Sequence, residues 1–193
     1  MKSMLKETFI IAIITIIAGL CLGVVYDLTK DRIAKQNLLT EQEAYKKVFS
    51  EAASFSEIEA TGWTDKNTDL DKLLGAYNET NELLGYVMVL TNHEGYNGDI
   101  TFSLGITLQN EVHGISIIEI KETPGLGMEA NKILVPQFKN TSASEFTVVK
   151  QKPQYDNQIQ AISSATFTTN AITNGVNTGL SYYNKVLGGV QNE

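Results

Sequence analysis

Five hydroxyl side chains, Ser163, Ser164, Thr166, Thr168 and Thr169, crowd the stretch AISSATFTTNAI from Ala161 to Ile172. It reads as a strand-to-helix turn, where free backbone N–H groups and the positive end of the helix dipole favour an anion such as phosphate. Ser and Thr also cap helices without binding anything, and composition alone favours capping. A second candidate is ETPGLG at Glu122 to Gly127. Pro124 stiffens this loop, while Gly125 and Gly127 lack Cβ atoms and let backbone approach a flat ligand. Taken alone, it is equally an ordinary helix-entry turn. In the loop GYNG, Tyr96 reads as packing rather than stacking.

Other chemistries are poorly supplied. The only cysteine, Cys21, lies in an apolar run, so the chain has no internal disulfide, thiolate zinc site or iron–sulfur centre of its own. His93 and His113 share no ligand motif and read as loop or strand-end residues. A formal charge of −7 with no basic patch argues against nucleic acid as a partner. Redox chemistry here needs an organic cofactor.

The elements that position these residues begin with FIIAIITIIAGLCLGVVY, Phe9 to Tyr26, an uncharged run long enough to span the hydrocarbon of a bilayer as a helix. It is long for the core of a cleaved signal peptide and lacks a small-x-small site, so an anchor is expected. Leu20 before Cys21 disfavours lipid attachment. Lys2 and Lys6 flank one side and Lys30, Arg32 and Lys35 the other, which leaves the orientation open. Thr15 is expected to bond its own helix backbone. The charged stretch that follows, with apolar Leu28, Ile33, Leu38, Leu39, Ala44 and Val48, continues as a helical stalk, with or without a break.

The expected organisation is residues 1–27 for the N-terminus and anchor, 28–50 for the stalk and 51–193 for one domain. Residues 51–72 read as a short helix and loop. Residues 73–121 carry four β-prone runs, LLGAYNE, ELLGYVMVLTN, DITFSLGITL and HGISIIEIK, joined by hairpin-sized breaks at 78–81 and 109–111 and by HEGYNG. An amphipathic helix is expected from Met128, with Ile133, Leu134 and Phe138 on one face, then a strand at FTVVK and a final helix bearing Ile172, Val176, Leu180, Tyr183 and Leu187. The fold class is α+β: a transmembrane helix, then a domain whose mainly antiparallel sheet is packed by helices to one side.

The anchor running into LTKDRIAKQ, the GYNGDI loop with SLGI, ETPGLG and AISSAT, in this order, resemble one family across nearly the whole chain. It is the FMN-binding domain shared by the G subunit of the Rnf electron-transport complex and the C subunit of the sodium-pumping NADH:quinone oxidoreductase. The shorter chain favours the former; the latter, or a stand-alone extracytoplasmic flavin domain, is the alternative. The resemblance implies FMN bound covalently as a phosphoester to Thr166 by a separate flavin transferase, with Ser163, Ser164 and Ala165 completing the motif. Ser164 stands where glycine is usual and Gln160 where an aspartate is expected. It further implies a flavin pocket including Glu122, Thr123, Leu126 and Gly127. The domain is then extracytoplasmic on a single-pass protein of the cytoplasmic membrane. Its partners are the other Rnf subunits, in a complex carrying electrons between ferredoxin and NAD while moving Na+ or H+.

Overall fold

A computed structural model describes residues 2–60 and 62–188; the side chains of Lys2 and Ser3, among them one flanking charge, and residues 189–193 of the expected domain lie outside that description. The chain divides into two compact units, Met1–Thr40 and Glu41–Glu193. The described residues of the first unit are all helical. Helix α1 (Lys2–Val48) is unbroken, so no interruption follows the apolar run. It is the single described helix long and apolar enough to cross a membrane, and its apolar side chains from Phe9 to Tyr26 are uncovered. The Thr15 hydroxyl donates to its own helix, to Ala12 O at 2.9 Å and Ile11 O at 3.1 Å.

In the second unit, strands β1 (Ser54–Ile58), β2 (Thr64–Asp65), β3 (Thr68–Tyr77), β4 (Leu83–Asn92), β5 (Ile100–Thr107) and β6 (Val112–Ile120) make one antiparallel sheet. The order is β1-β3-β4-β5-β6, with β2 pairing β3 beside β1. The hairpin turns fall where turn residues stand: Asn81 and Asn110 adopt the left-handed backbone that asparagine tolerates. The expected helix after Glu51 is instead β1. Ala52, Phe55 and Ile58 have helical spacing, but β3 offers an open edge, and Phe55 and Ile58 pair there opposite Ala76 and Leu73.

The amphipathic helix expected from Met128 is three short pieces: a 3-10 turn Gly127–Glu129, one helical turn α2 (Ala130–Ile133) and a 3-10 turn Val135–Phe138. Pro136 interrupts the helix, and the changed pitch buries Leu134 and Phe138 while leaving Ile133 outside. Strand β7 (Thr147–Val149) lies within FTVVK and pairs in parallel with β8 (Gln158–Gln160), which sequence reading overlooked. Helix α3 (Thr166–Tyr182) follows.

Helices cover both faces of the sheet rather than one. Against one face, α3 packs Ile172, Val176 and Leu180 in the main core with Met88, Leu90, Phe102 and Leu104. Against the other lie Tyr45, Val48 and Phe49 with Leu74, Ala76, Val87 and Val89. Two close approaches depend on glycine. A Cβ on Gly105 would overlap Val48, and one on Gly179 would overlap Leu104. The ion pair Lys72–Glu41, at 2.8 Å, lies beside the second core.

Candidate functional site

β7 and β8 run parallel, and Ala161 N donates to Val149 O at 2.8 Å just past their ends. β8 therefore leads the chain to the start of α3 with the end of β7 beside it. Gln137 secures β8: Gln160 N donates to its Oε1 at 2.7 Å, and its Nε2 donates to Gln160 O at 3.2 Å. After Ile162 the chain turns through Ser163 and Ser164, and Ala165 N donates to Ile162 O at 3.0 Å. Ser164 has φ +63°, a backbone conformation in which glycine is at ease and serine is strained.

Capping does not account for the hydroxyls. The residue at the helix cap is Ala165, with no side-chain cap bond. Thr169 turns inward, its Oγ1 accepting from Ile162 N at 3.1 Å and donating to Ala165 O at 3.0 Å. Among the described residues, the hydroxyls of Ser163, Ser164, Thr166 and Thr168 make no hydrogen bond, and neither do the backbone N–H groups of Thr166, Phe167 and Thr168. Ser163 and Ser164 are exposed and Thr166 half-buried. Thr166, Ser163 and Ser164 line a cavity of about 440 Å³ with Gln160 and Lys150. Lys150 is its one charged lining residue, and no ion pair engages its ammonium group among the described residues.

A second cavity, of about 400 Å³, adjoins the first through Ser164, which lines both. One wall is Glu122, Thr123, Leu126 and Gly127; the other is Ala165, Phe167 and Thr168, with Tyr96 across the mouth. A Cβ on Gly127 would come within 2.6 Å of Thr168 Oγ1 and 2.7 Å of Glu122 Cβ, so only glycine fits between loop and helix. Gly125 has φ +74°, the turn that brings Leu126 and Gly127 inward. The Glu122 carboxylate is buried, its Oε1 accepting from Tyr96 N at 2.7 Å. Thr168 is 1 % exposed, and its hydroxyl lacks a protein partner among the described residues.

Residues 1–48 match the RnfG N-terminal region and residues 95–181 the FMN-binding domain. The chain is 30 % identical over 191 residues to the G subunit of the Na+-translocating ferredoxin:NAD+ oxidoreductase complex of Acetobacterium woodii, covering 94 % of this chain and 92 % of that one. The chain belongs to the RnfG family. Its identity to the G subunit of the proton-translocating ferredoxin:NAD+ oxidoreductase complex of Clostridium ljungdahlii is also 30 %, over 174 residues, 90 % of this chain and 88 % of the relative. The fold is that of Shewanella oneidensis NqrC, with TM-score 0.55 at 15 % identity over 75 % of this chain and 74 % of the other. The C subunit of the Na+-translocating NADH-quinone reductase from Parabacteroides distasonis gives TM-score 0.51 at 20 % identity, covering 75 % of this chain and 82 % of its own.

An FMN group fits what this RnfG chain offers. The apolar walls of the second cavity suit a flat ring, Thr168 on its lining offers a hydroxyl with no partner among the described residues, and Gly127 opens the space a side chain would fill. Next door, a free hydroxyl, three free N–H groups and Lys150 suit a phosphate. The residues expected from the sequence divide between the cavities: Glu122, Thr123, Leu126, Gly127 and Ala165 in one, Ser163 and Thr166 in the other, Ser164 in both. Tyr96, Phe167, Thr168 and Lys150 were not assigned to the site from sequence. Tyr96 stands between glycines and Phe167 and Thr168 follow Thr166 directly, signals that proximity to the motif supplied. Lys150 reaches the turn only because β7 pairs β8, which no local pattern announces.

Proposed function

We propose that this RnfG chain is the electron-carrying flavoprotein subunit of a membrane-bound ferredoxin:NAD+ oxidoreductase complex coupled to Na+ or H+ movement, with FMN held as a phosphoester on Thr166. The observation that carries this reading is the Thr166 hydroxyl, which begins α3, makes no hydrogen bond among the described residues and opens on a cavity that shares Ser164 with a more apolar neighbour.

Attachment needs a separate flavin transferase using FAD. The Thr166 hydroxyl gives up its proton, an Oγ1–P bond forms, the P–O bond within the FAD pyrophosphate breaks, and AMP leaves. Lys150 and the free N–H groups at the start of α3 balance the phosphate charge, and Ser163 and Ser164 offer hydroxyl donors beside it. Bound FMN supplies reversible electron transfer through its ring. The protein binds and orients: Leu126 and Ala165 give apolar contact, Gly127 permits close approach, and Thr123, Thr168 and loop backbone hydrogen-bond polar ring atoms. Glu122 acts one step back, holding the Tyr96 loop in place. Thr166 is a tether rather than a catalyst.

Residues 1–27 then form the N-terminus and anchor, 28–50 the stalk and 51–193 the FMN-binding domain, which faces away from the cytoplasm. Free FMN is not resupplied there, so a covalent tether retains the cofactor. Electrons pass to and from the other Rnf subunits, and turnover belongs to the assembly.

Co-expression of the full chain with a flavin transferase, followed by intact mass and in-gel flavin fluorescence, tests this. The wild type gains the mass of FMN less water, and Thr166→Ala does not. A wild type that stays unmodified beside an active transferase defeats the proposal.

A further inference from the structure

Two aromatic rings at the more apolar cavity bury almost nothing in the fold itself. Tyr96 is 71 % exposed and Phe167 67 %, their centroids 6.3 Å apart and their planes inclined at 44°. Most of the domain's other aromatic rings are used in packing: Phe49, Phe102, Phe138, Phe146 and Tyr182 are fully buried. Exposed rings that share one concave mouth mark a surface that a ligand covers.

The backbone beneath Tyr96 is held firmly. Tyr96 N donates to the buried Glu122 carboxylate at 2.7 Å. Two residues earlier, Glu94 accepts from Asn67 and from Asn174 of α3, each at 2.8 Å. His93 bonds Asp99 at 2.9 Å and Asp69 at 3.2 Å. A Cβ on Gly95 would collide with Gly98 O, so the turn also requires that glycine. Phe167 is fixed in the first turn of α3, next to Thr166. The fold thus spends many bonds to hold in place two rings that do nothing for its own core.

We propose that Tyr96 and Phe167 form an aromatic clamp that closes over the planar ring of the flavin and removes it from water. This rests on the flavin reading above and adds two residues to it. Flat rings pack on one another with a gain beyond the area they bury, so losing either side of the clamp weakens ring binding. Tyr96 leaves a further signature. A phenol in contact with an excited flavin passes it an electron, which then returns, and the fluorescence is quenched; a phenylalanine ring does not do this.

The test uses the full-length chain in detergent, with Tyr96→Phe, Tyr96→Leu and Phe167→Leu variants whose folding is checked by Trp63 fluorescence. With FMN attached and verified by mass, native flavin fluorescence is expected to rise several-fold in Tyr96→Phe and in Tyr96→Leu. Unchanged fluorescence in both, with the mass gain intact, overturns the clamp and leaves the tether standing. In a Thr166→Ala background, free FMN is titrated instead. There Tyr96→Leu and Phe167→Leu are expected to raise the dissociation constant on the order of tenfold, while Tyr96→Phe keeps it within about threefold. If the wild type takes up no covalent FMN, the tether falls and this titration still judges the clamp. Equal affinity in all variants, or no binding of free FMN, overturns it.

Discussion

Ser164 occupies a backbone conformation that favours glycine. Its φ is +63°, so serine stands there under strain. A non-glycine residue in this conformation costs about 1–2 kcal/mol, and glycine gives back about 0.4–1 kcal/mol through its freer unfolded chain. Ser164→Gly is therefore expected to raise stability by roughly 0.5 kcal/mol. Ser164→Val, branched at Cβ, is expected to lose more than about 1 kcal/mol. Urea titration followed by Trp63, the only tryptophan, measures both. Equal midpoints for the three proteins would show that the turn relaxes at no cost. The serine hydroxyl, unpartnered among the described residues and lining both cavities, is what the glycine variant gives up.

At the scale of elements, the position of α3 decides whether there is a site at all. Its glycines 175 and 179, one turn apart, let the helix settle on the side chains of β5: a Cβ on Gly175 would lie 2.6 Å from the Phe102 ring, and one on Gly179 would overlap Leu104. In an open helix, Gly→Ala gains about 1 kcal/mol. Here the sign reverses, because Phe102 is fully buried and its ring has nowhere to go. Gly175→Ala is expected to lose about 1–2 kcal/mol to overpacking. By lifting α3 it also separates Thr168 from Gly127 and enlarges the ring cavity. Urea titration of the full chain checks this, and a stabilised variant would mean that the helix moves freely. The four long strands, the hairpin turns and the final helix were legible because each carries its own periodicity and turn residues. β1 was not, since its spacing also fits a helix and the edge of β3 makes it a strand. The pieces after Met128 were misread for a related reason: Pro136 breaks what the apolar spacing promises.

At the scale of the whole molecule, His93 ties separate parts of the domain together through Asp69 and Asp99. Its hydrogen bonds to these two carboxylates, Asp99 first, raise its pKa above the ordinary histidine value, while Thr64 and then His93 lower that of Asp69. The histidine contribution is complete below its unfolded pKa and disappears as pH rises through the raised folded value. Asp69 behaves oppositely, losing its contribution as pH falls through its lowered folded value. The melting temperature of the full chain is thus expected to fall from pH 6 towards pH 8.5, with a smaller fall in His93→Asn. The same slope in both proteins would remove His93 from the account. Both groups are well exposed, which keeps the effect small and sensitive to salt.

By itself the sequence determined what local chemistry can encode. It carried the apolar span of α1, the α+β class, the hydroxyl-rich turn that holds Thr166 and the loop ETPGLG, because each is written in a short run of neighbouring residues. Only the tertiary structure decided which of them meet. The parallel pairing of β7 with β8 brings Lys150 to Thr166 across an irregular loop. The close seat of Gly127 on Thr168 joins the loop to the helix, and the hydrogen bond from Tyr96 to Glu122 sets an aromatic ring over the space between. These contacts depend on packing among residues far apart in the chain, and no periodicity within a single segment records them.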